Sequence, residues 1–507
     1  MKNKIYLIIL LLVSIRCFPQ IPEEAFRLSW QTNNGTARNQ AIGGAMTSLG
    51  GDATTNFINP AGLAFFNTSD FVFTPSWQMS KNKGSFRGTS SRGSQVNKFR
   101  LGTTGLIFGG MGYNRNTSCG ITVTQVADFN QNVFYKGQNN YSSFAEPLAD
   151  EFFESGIRDP NVALNADNIS LLTKMAIYTY LVDTATINGL PGVIARSENA
   201  NLRDQENTIT TTGGITEATF GVGGRVSKKV MAGFSLGIPV VKMERNTFFK
   251  ESDATNSPGN EFDFFTYSEN YRLTGIGINA KFGVIVRPQE YIRLGAAIHS
   301  PSWLDLKEEF SAAMETDIED PNSYSVSSEV FTGNTDPQNK YILMTPAKIM
   351  ISGAYVFREE EKIERQRGFI TADIEYAANQ WIRFLTSEQA EARTGKYNTE
   401  NAIIKNYYKG SFNFKAGGEL KFKILMLRAG FAYFSNPYKD KELKANRLNI
   451  SGGLGYRNKG IFIDLTYVHR ISKDVNFPYR VNAPRLNTFA NLKDAGGNVL
   501  LTLGFKI

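Results

Sequence analysis

The chain has 507 residues, of which 41% are hydrophobic, 12% aromatic and 20% charged, and its formal net charge is +8. This composition excludes a disordered protein, a collagen and a bundle of transmembrane helices, and the charge is too mild for a dedicated nucleic-acid binder. The two Cys and two His exclude a disulfide framework and disfavour a zinc site.

The first twenty residues have the pattern of a secretory signal peptide. Lys2 and Lys4 precede an apolar run over residues 5–13, which is too short to span a bilayer as a helix. We therefore expect residues 1–20 to be a signal peptide that is removed on export.

Residues 35–64 do not alternate as a strand would and are rich in small side chains. Small side chains let backbone approach other backbone closely, and glycine pairs and Asn-Pro favour helix ends and turns. The sequence thus predicts a compact folded segment at residues 21–68. Its motif residues are Gly43, Gly44, Gly50, Gly51, Asn59, Pro60, Ala61 and Gly62.

From residue 69 to the end, apolar and polar residues alternate in runs of about nine to twelve residues, the length of a tilted strand that crosses a bilayer. We count about fourteen strands, with short turns after the even-numbered strands and mostly long loops after the odd-numbered ones. A soluble sandwich also alternates but has no reason to sort its loops in this way. The sequence therefore predicts an all-β fold, a transmembrane antiparallel β-barrel over residues 69–507.

The longest insertion, at about residues 136–214, carries two runs with helical spacing of apolar residues. Two amphipathic helices over a barrel mouth can form a hydrophobic groove or can pack on each other and close the top, and the two roles are compatible. The ligand-binding candidates here are Phe152, Phe153, Leu172 and Met175.

Alternation also predicts which side chains face the lumen. The charged members of the inward set are Arg293, His299, Asp373, Glu375, Lys415, Glu419, Arg428, Arg447 and Asp464. Such mixed charge suits either a wet ionic lining or a polar plug with ion pairs. The inward apolar candidates are Ile285, Ile424, Met426, Phe462 and Val468, of which Ile424, Met426 and Phe462 are ligand-binding candidates.

No familiar enzyme motif lies in the structural context that its chemistry requires. Gly-rich stretches such as residues 220–226 lie in alternating strands rather than before helices, so a phosphate-binding loop is not indicated. His299 and Ser300 are neighbours and would point to opposite faces of a strand. We predict no catalytic site, no metal and no cofactor.

The N-terminal segment resembles a known family, the FadL/OmpP1/TodX family of outer-membrane transporters for long-chain fatty acids and other hydrophobic compounds. Residues 35–38, 43–45, 50–53 and above all 59–63 carry the resemblance, which continues more weakly at 293–297, 345–347 and 428–433. It implies a fourteen-stranded barrel whose N-terminal plug closes the lumen. It also implies capture of a hydrophobic ligand outside and lateral exit through a gap in the wall.

We therefore expect a multi-pass outer-membrane protein of a Gram-negative bacterium that takes up fatty acids or similar hydrophobic molecules passively. The expected partners are the hydrophobic ligand, outer-membrane lipid and the barrel assembly machinery, with no nucleic acid, and the protein is expected to be a monomer. The alternative is a plugged barrel that acts as a scaffold or shuttle in protein secretion.

Overall fold

The computed structural model describes residues 22–30, 34–112, 116–187, 189–255, 257–320, 323–333, 335–357, 367–386, 388–482 and 485–507. The predicted signal peptide lies outside these described residues.

Fourteen antiparallel strands close into a barrel, as the alternation predicts. They are β1 (Asp70–Phe73 and Pro75–Phe86), β2 (Thr89–Arg92, Val96–Leu101 and Thr104–Met111), β3 (Thr117–Asp128 and Gln131–Asn139), β4 (Arg203–Arg225), β5 (Val230–Asp253), β6 (Phe264–Gln289), β7 (Ile292–His299 and Trp303–Asp317), β8 (Gln338–Met344 and Lys348–Phe357), β9 (Gly368–Ala377 and Arg383–Leu385), β10 (Ser411–Phe422), β11 (Leu425–Phe434), β12 (Arg447–Asn458), β13 (Ile461–Asn476) and β14 (Ala490–Lys506). A short strand, Tyr324–Ser327, pairs with β7, and the hairpin Val182–Ile187 with Leu190–Ala195 forms a separate sheet.

The last strand closes the barrel on the first. Phe73 pairs with Leu503 and Ser76 with Leu500, and the backbone N–H of Ile507 donates to the carbonyl of Ser69 over 2.8 Å. Because the number of strands is even, the start of β1 and the end of β14 lie at the same rim of the barrel. The tight turns lie at this rim and the long loops at the other.

The outer face of the barrel is apolar over a belt around the rim that carries the chain ends. On β6, for example, Ile276, Ile278 and Phe282 are each more than half exposed, at 55%, 52% and 51%. A contiguous belt of exposed large apolar side chains is unfavourable in water and is typical of a barrel that faces lipid.

The helices are short and lie in the N-terminal segment and the loops. They are α1 (Pro22–Ser29), α2 (Ala37–Ala41), α3 (Thr55–Ile58), α4 (Glu146–Glu154), α5 (Pro160–Asn165), α6 (Leu171–Tyr178), α7 (Glu329–Thr332), α8 (Gln389–Thr394) and α9 (Asn398–Tyr407), with 3-10 turns at Pro60–Phe65, Arg196–Asn199 and Asn379–Trp381. None of the helices in the described part of the chain is long and apolar enough to cross a membrane.

The N-terminal segment lies inside the barrel, where it contacts strands on several sides. The side-chain amide of Asn56 donates to the carbonyls of Gly120 on β3 and Thr219 on β4, over 3.2 and 2.9 Å. On another side of the lumen, the backbone N–H of Ala37 donates to Thr502 of β14 over 2.7 Å. Local capping supports the segment, since Asn59 accepts from the N–H of Ala61 at the start of the 3-10 turn. We call residues 34–66 the plug.

Wall strands carry glycine where the backbone of the plug approaches most closely. A Cβ on Gly430 of β11 would lie 2.1 Å from the backbone nitrogen of Gly43, and one on Gly233 of β5 would lie 2.3 Å from the carbonyl carbon of Pro60. Only glycine allows such an approach. The same holds for plug backbone, with contacts below 3 Å, at Gly223, Gly295 and Gly417, whereas Gly221, Gly283 and Gly453 make room for plug side chains.

The charged residues predicted to face the lumen do so, and most are buried. Arg428 donates to Glu419 and to Asp464, both over 2.6 Å, and Lys415 donates to Glu375 over 2.8 Å. Because these charges are paired and buried beside the plug, the structure favours the second of the two interpretations above, a polar plug with compensating ion pairs, over a wet ionic lining.

Candidate hydrophobic-ligand chamber

Two helices of the longest loop cover the mouth of the barrel. The loop spans residues 140–202, because β3 and β4 continue beyond the ends that alternation predicted. Ser170 caps α6 by accepting from the N–H of Thr173, and the carboxylate of Glu151 on α4 accepts from the backbone of Ser170 over 2.6 Å. The two helices are thereby joined to each other and close the top of the barrel.

The buried faces of the helices pack on aromatic side chains of the strands below. Phe144, just before α4, stacks on Phe249 of β5 with ring centroids 5.1 Å apart and contacts Phe265 of β6 at 5.5 Å. Leu148 and Met175 belong to the same apolar cluster. The helices therefore cover the mouth of the barrel and pack an apolar face against it.

A cavity of about 840 Å³ lies beneath the helices. We call it the chamber. Its apolar lining comes from the helical loop and from the ends of several strands at the rim with the long loops, and includes Phe144, Leu172, Ile209, Phe249, Tyr267 and Phe310. The volume lies within the range of sites that hold small organic ligands, and a mainly apolar lining with a few polar groups is typical of them.

The floor of the chamber is polar but mostly charge-balanced. Arg245 of β5 forms ion pairs with Glu24 of α1 over 2.6 Å and with Glu269 of β6 over 3.1 Å. Arg480 binds Glu23 of α1. Helix α1 is therefore tied across the floor by two arginines. A third arginine, Arg27 of α1, also lines the chamber, and no hydrogen bond or ion pair holds its guanidinium within the part of the chain that the structure describes.

Two smaller cavities continue from the chamber toward the plug. The first has a volume of about 90 Å³ and shares Arg27 and Leu492 with the chamber. The second, of about 40 Å³, shares Trp30 and Arg447 with the first. The guanidinium of Arg447 lies 3.7 Å from the ring centroid of Trp30, so a cation and an aromatic ring narrow this passage.

The barrel wall is incompletely paired beside the lower cavities. β2 pairs with β3 only over Thr104–Met111, whereas Val96–Leu101 pairs with β1 alone, and no backbone pairing of that segment with β3 occurs among the described residues. Side chains cross the gap instead, since Arg100 donates to Gln125 over 3.3 Å and Thr103 bonds to Thr124 over 2.9 Å.

A kink in β3 produces this gap. Between the two parts of β3, Asn130 donates to the carbonyl of Gly213 over 3.3 Å and accepts from its N–H over 3.4 Å. Gly213 has φ of +106°, which side-chain-bearing residues rarely adopt. The wall therefore diverges where Asn130 of the β3 kink contacts Gly213 of β4, and Asn130 lines the cavity of about 90 Å³.

The structure does not bring the predicted ligand-binding residues together. Leu172 lines the chamber, whereas Phe152 and Met175 are buried in the apolar cluster above it and Phe153 is 49% exposed. Met426 and Phe462 are buried near the plug, away from the chamber.

The predicted direction of Ile424 is wrong. The side chain was predicted to face the lumen, but it lies in the tight turn between β10 and β11 and is 45% exposed. A turn interrupts the period of two, so the predicted direction does not hold at that residue.

Most of the chamber lining could not be recognised from the sequence. Phe249, Tyr267 and Phe310 lie on strand ends above the apolar belt, where both faces carry polar residues and the alternation of hydropathy disappears. Buried and exposed residues still alternate there, as in residues 203–211 of β4, but the residue types do not reveal which side chains are buried.

A metal site is not apparent in the described ranges, which contain no group of three or more His, Cys, Asp or Glu side chains able to hold an ion.

No model of a known protein family matches the chain, and no curated protein matches it in sequence. Solved structures do match. A FadL homologue of Pseudomonas aeruginosa has a TM-score of 0.55 at 13% identity, covering 94% of this chain and 99% of that one. The chain has the FadL-type barrel fold. The toluene transporter TodX of Pseudomonas putida (TM-score 0.53, 12% identity, 94% and 99% covered) and the toluene transporter TbuX of Ralstonia pickettii (0.51, 13%, 95% and 100%) also share this FadL-type fold.

The FadL-type fold and the apolar belt together identify a multi-pass protein of the outer membrane of a Gram-negative bacterium. In this fold the rim with the chain ends faces the periplasm and the rim with the chamber faces outward. The resemblance stated from the N-terminal motif is confirmed at the level of the fold.

Proposed function

We propose that the protein carries hydrophobic small molecules passively across the outer membrane, without converting them chemically. A ligand enters the chamber, moves past α1 through the two smaller cavities, and leaves sideways through the gap between β2 and β3. The apolar chamber of about 840 Å³ is the observation that carries this proposal. The plug supports it, because the plug fills the lower lumen and leaves the wall as the exit.

The similar structures support the same class of cargo. Two of the three described above are toluene transporters and the third is a FadL homologue. An apolar ligand gains free energy on leaving water for such a chamber, and the paired charges of its floor disfavour a bare ion.

Within this class we propose a fatty acid or similar amphipathic molecule as the cargo. Its chain would lie among the aromatic side chains of the chamber, and its carboxylate would bind Arg27 at the floor. A guanidinium forms strong, charge-assisted hydrogen bonds with a carboxylate.

Filling the chamber tests the transport proposal. Leu172→Trp places a large ring in the cavity, so we expect uptake of a labelled fatty acid by whole cells to fall several-fold at equal protein level. The control is Leu190→Trp, at the tip of the extracellular hairpin, where the native side chain is 70% exposed and the change should have no effect. Equal uptake by both variants would contradict the proposed route.

Neutralising Arg27 tests the choice of cargo. Arg27→Gln should weaken binding of a fatty acid but leave binding of toluene unchanged, as measured on the purified barrel in detergent. If both ligands bind as before, the head group does not interact with Arg27 and a simple hydrocarbon becomes the better proposal.

Co-purification separates transport from the secretion alternative. We expect mass spectrometry of the purified barrel to find a lipid or hydrocarbon bound to it. A stable partner protein recovered with an empty barrel would favour a scaffold.

A further inference from the structure

Four basic side chains form one row on the outer face of the barrel. Lys473 of β13 is paired with Lys493 of β14, Lys493 with Lys83 of β1, and Lys83 with Arg92 of β2. All four are exposed, while their neighbour Asn82 is buried toward the lumen. We call these four residues the basic row.

The basic row is unfavourable in the isolated protein. Residues directly opposite in an antiparallel pair have Cβ atoms only about 4.5–5.5 Å apart, and like charges there repel. The rows on either side do not compensate, since they consist of Lys81, Ala495 and Ile471 below and of Ser85, Asn491 and Val475 above. No ion pair involves any member of the basic row in the described part of the chain.

A second basic row on the opposite side of the barrel shows the usual compensation. Lys242, Lys307 and Lys340 also share one register position across β5 to β8. There, Glu309 binds Lys307 over 2.9 Å and lies 3.7 Å from Arg272. Among the described residues, the row on β13, β14, β1 and β2 has no such carboxylate.

The depth of the basic row indicates what it faces. On β14 the outward positions run from Phe505 at the periplasmic rim to Ala495, and Lys493 is the next outward residue. Ten residues of a strand tilted by about 40° rise about 25 Å, which is the height of the apolar band of such barrels. Lys493 therefore lies at the level of the lipid head groups on the extracellular side, and the row, which runs perpendicular to the tilted strands, slopes through this region.

We propose that the basic row binds the phosphate groups of a phosphorylated lipid in the outer leaflet. The phosphate oxygens accept from the ammonium groups and from the guanidinium, and their negative charge replaces the repulsion between the four side chains with attraction. Anionic head groups attract basic side chains at this depth, and the attraction weakens with salt. The lipid stays on the outer wall.

Binding of lipopolysaccharide to the purified full-length barrel tests the proposal. We expect a variant with Lys83, Arg92, Lys473 and Lys493 all changed to Gln to bind it at least tenfold more weakly, and the wild type to bind chemically dephosphorylated lipopolysaccharide with a similar loss. Wild-type binding should also decrease as the ionic strength rises. A heat-modifiable band in gel electrophoresis shows that each variant is folded.

The matched control removes four positive charges at the opposite rim. Lys228, Lys229, Lys423 and Lys459 lie in exposed periplasmic turns, and their replacement by Gln should leave binding unchanged. The proposal is overturned if the basic-row variant binds within twofold of the wild type, if the control variant loses as much, or if removal of the phosphates has no effect.

Discussion

At the scale of single residues, the contact between plug and wall depends on the absence of side chains. Gly430→Ala places a methyl group 2.1 Å from the backbone nitrogen of Gly43, so plug or strand must move. We expect a loss of about 1–3 kcal/mol, the usual cost of overpacking. The measurement is the temperature at which the barrel band converts to the unfolded band in gel electrophoresis.

Gly452→Ala is the control, because the nearest atom to its added methyl group, the carbonyl oxygen of Arg428, is 3.8 Å away. This residue lies on β12 beside β11 and faces outward. Equal unfolding temperatures for the two variants would show that the plug backbone is not in close contact with the wall at Gly430.

A buried carboxyl group at the chamber roof makes local stability depend on pH. Glu251, fully buried on β5 above the apolar belt, accepts from Ser143 and Gln205, each over 2.5 Å, and burial raises its pKa. Because the folded state holds the proton more tightly than the unfolded state, stability is greatest below the ordinary pKa of a glutamic acid and falls as pH rises through the raised value.

We therefore expect amide protection near residue 144 to decrease from acidic to neutral pH, as measured by hydrogen exchange corrected for intrinsic rates. Glu251→Gln should flatten this dependence. Glu206→Gln, on the outward face of the neighbouring strand β4, should leave it unchanged. A dependence that persists in the Glu251 variant would assign it to another group.

At the scale of elements, helix α1 depends on two arginines that are distant in sequence. Arg245→Gln leaves the carboxylates of Glu24 and Glu269 buried without their cation, which is strongly unfavourable. We expect hydrogen exchange in Pro22–Ser29 to rise at least about tenfold while the barrel persists. Arg272→Gln, on an exposed arginine of the next strand, is the control and should not change exchange in α1.

The sequence allowed prediction of some elements and not of others. The helical spacing predicts the burial of Phe152 in α4 and of Met175 in α6 correctly, whereas Phe153, in the same run as Phe152, is 49% exposed. Helix α1 is also amphipathic, but its place in the barrel depends on Arg245 and Arg480, which lie more than two hundred residues away along the chain. Contacts between elements so far apart leave no periodic pattern in the local sequence.

At the scale of the whole molecule, the plug contributes to the apolar core inside the barrel. Met46 and Phe57 of the plug pack in one cluster with Val241 and Leu304 of the wall. We expect deletion of residues 35–64 to lower the unfolding temperature and change the flux of a labelled hydrophobic substrate, while the barrel still forms, because the strand ladder does not include the plug.

Deletion of residues 184–193, the end of the separate hairpin, is the control and should alter neither property. If the deletion of residues 35–64 abolished the barrel altogether, the plug would be required for folding of the wall rather than for closure of the lumen.

The barrel was predictable as a whole because the same pattern recurs: apolar and polar residues alternate in each of the fourteen strands, and short turns and long loops alternate between them. The inward direction of Asp373, Glu375 and Lys415 followed from that period alone. The chamber could not be predicted in the same way, since Ile209, Phe249 and other lining residues converge from strands and loops whose register is a property of the closed barrel.

The two backbone hydrogen bonds of Ala37 also set the order in which the plug and the barrel wall fold. Its N–H donates to Thr502, 465 residues further along the chain, and its carbonyl accepts from Thr466. The binding site for the plug is therefore complete only when β14 has folded, which is also the step that closes the barrel wall on β1. Contacts this distant in sequence make folding slow. The plug is enclosed as the barrel closes, so a chain that stops before β14 would have neither a sealed wall nor a seated plug.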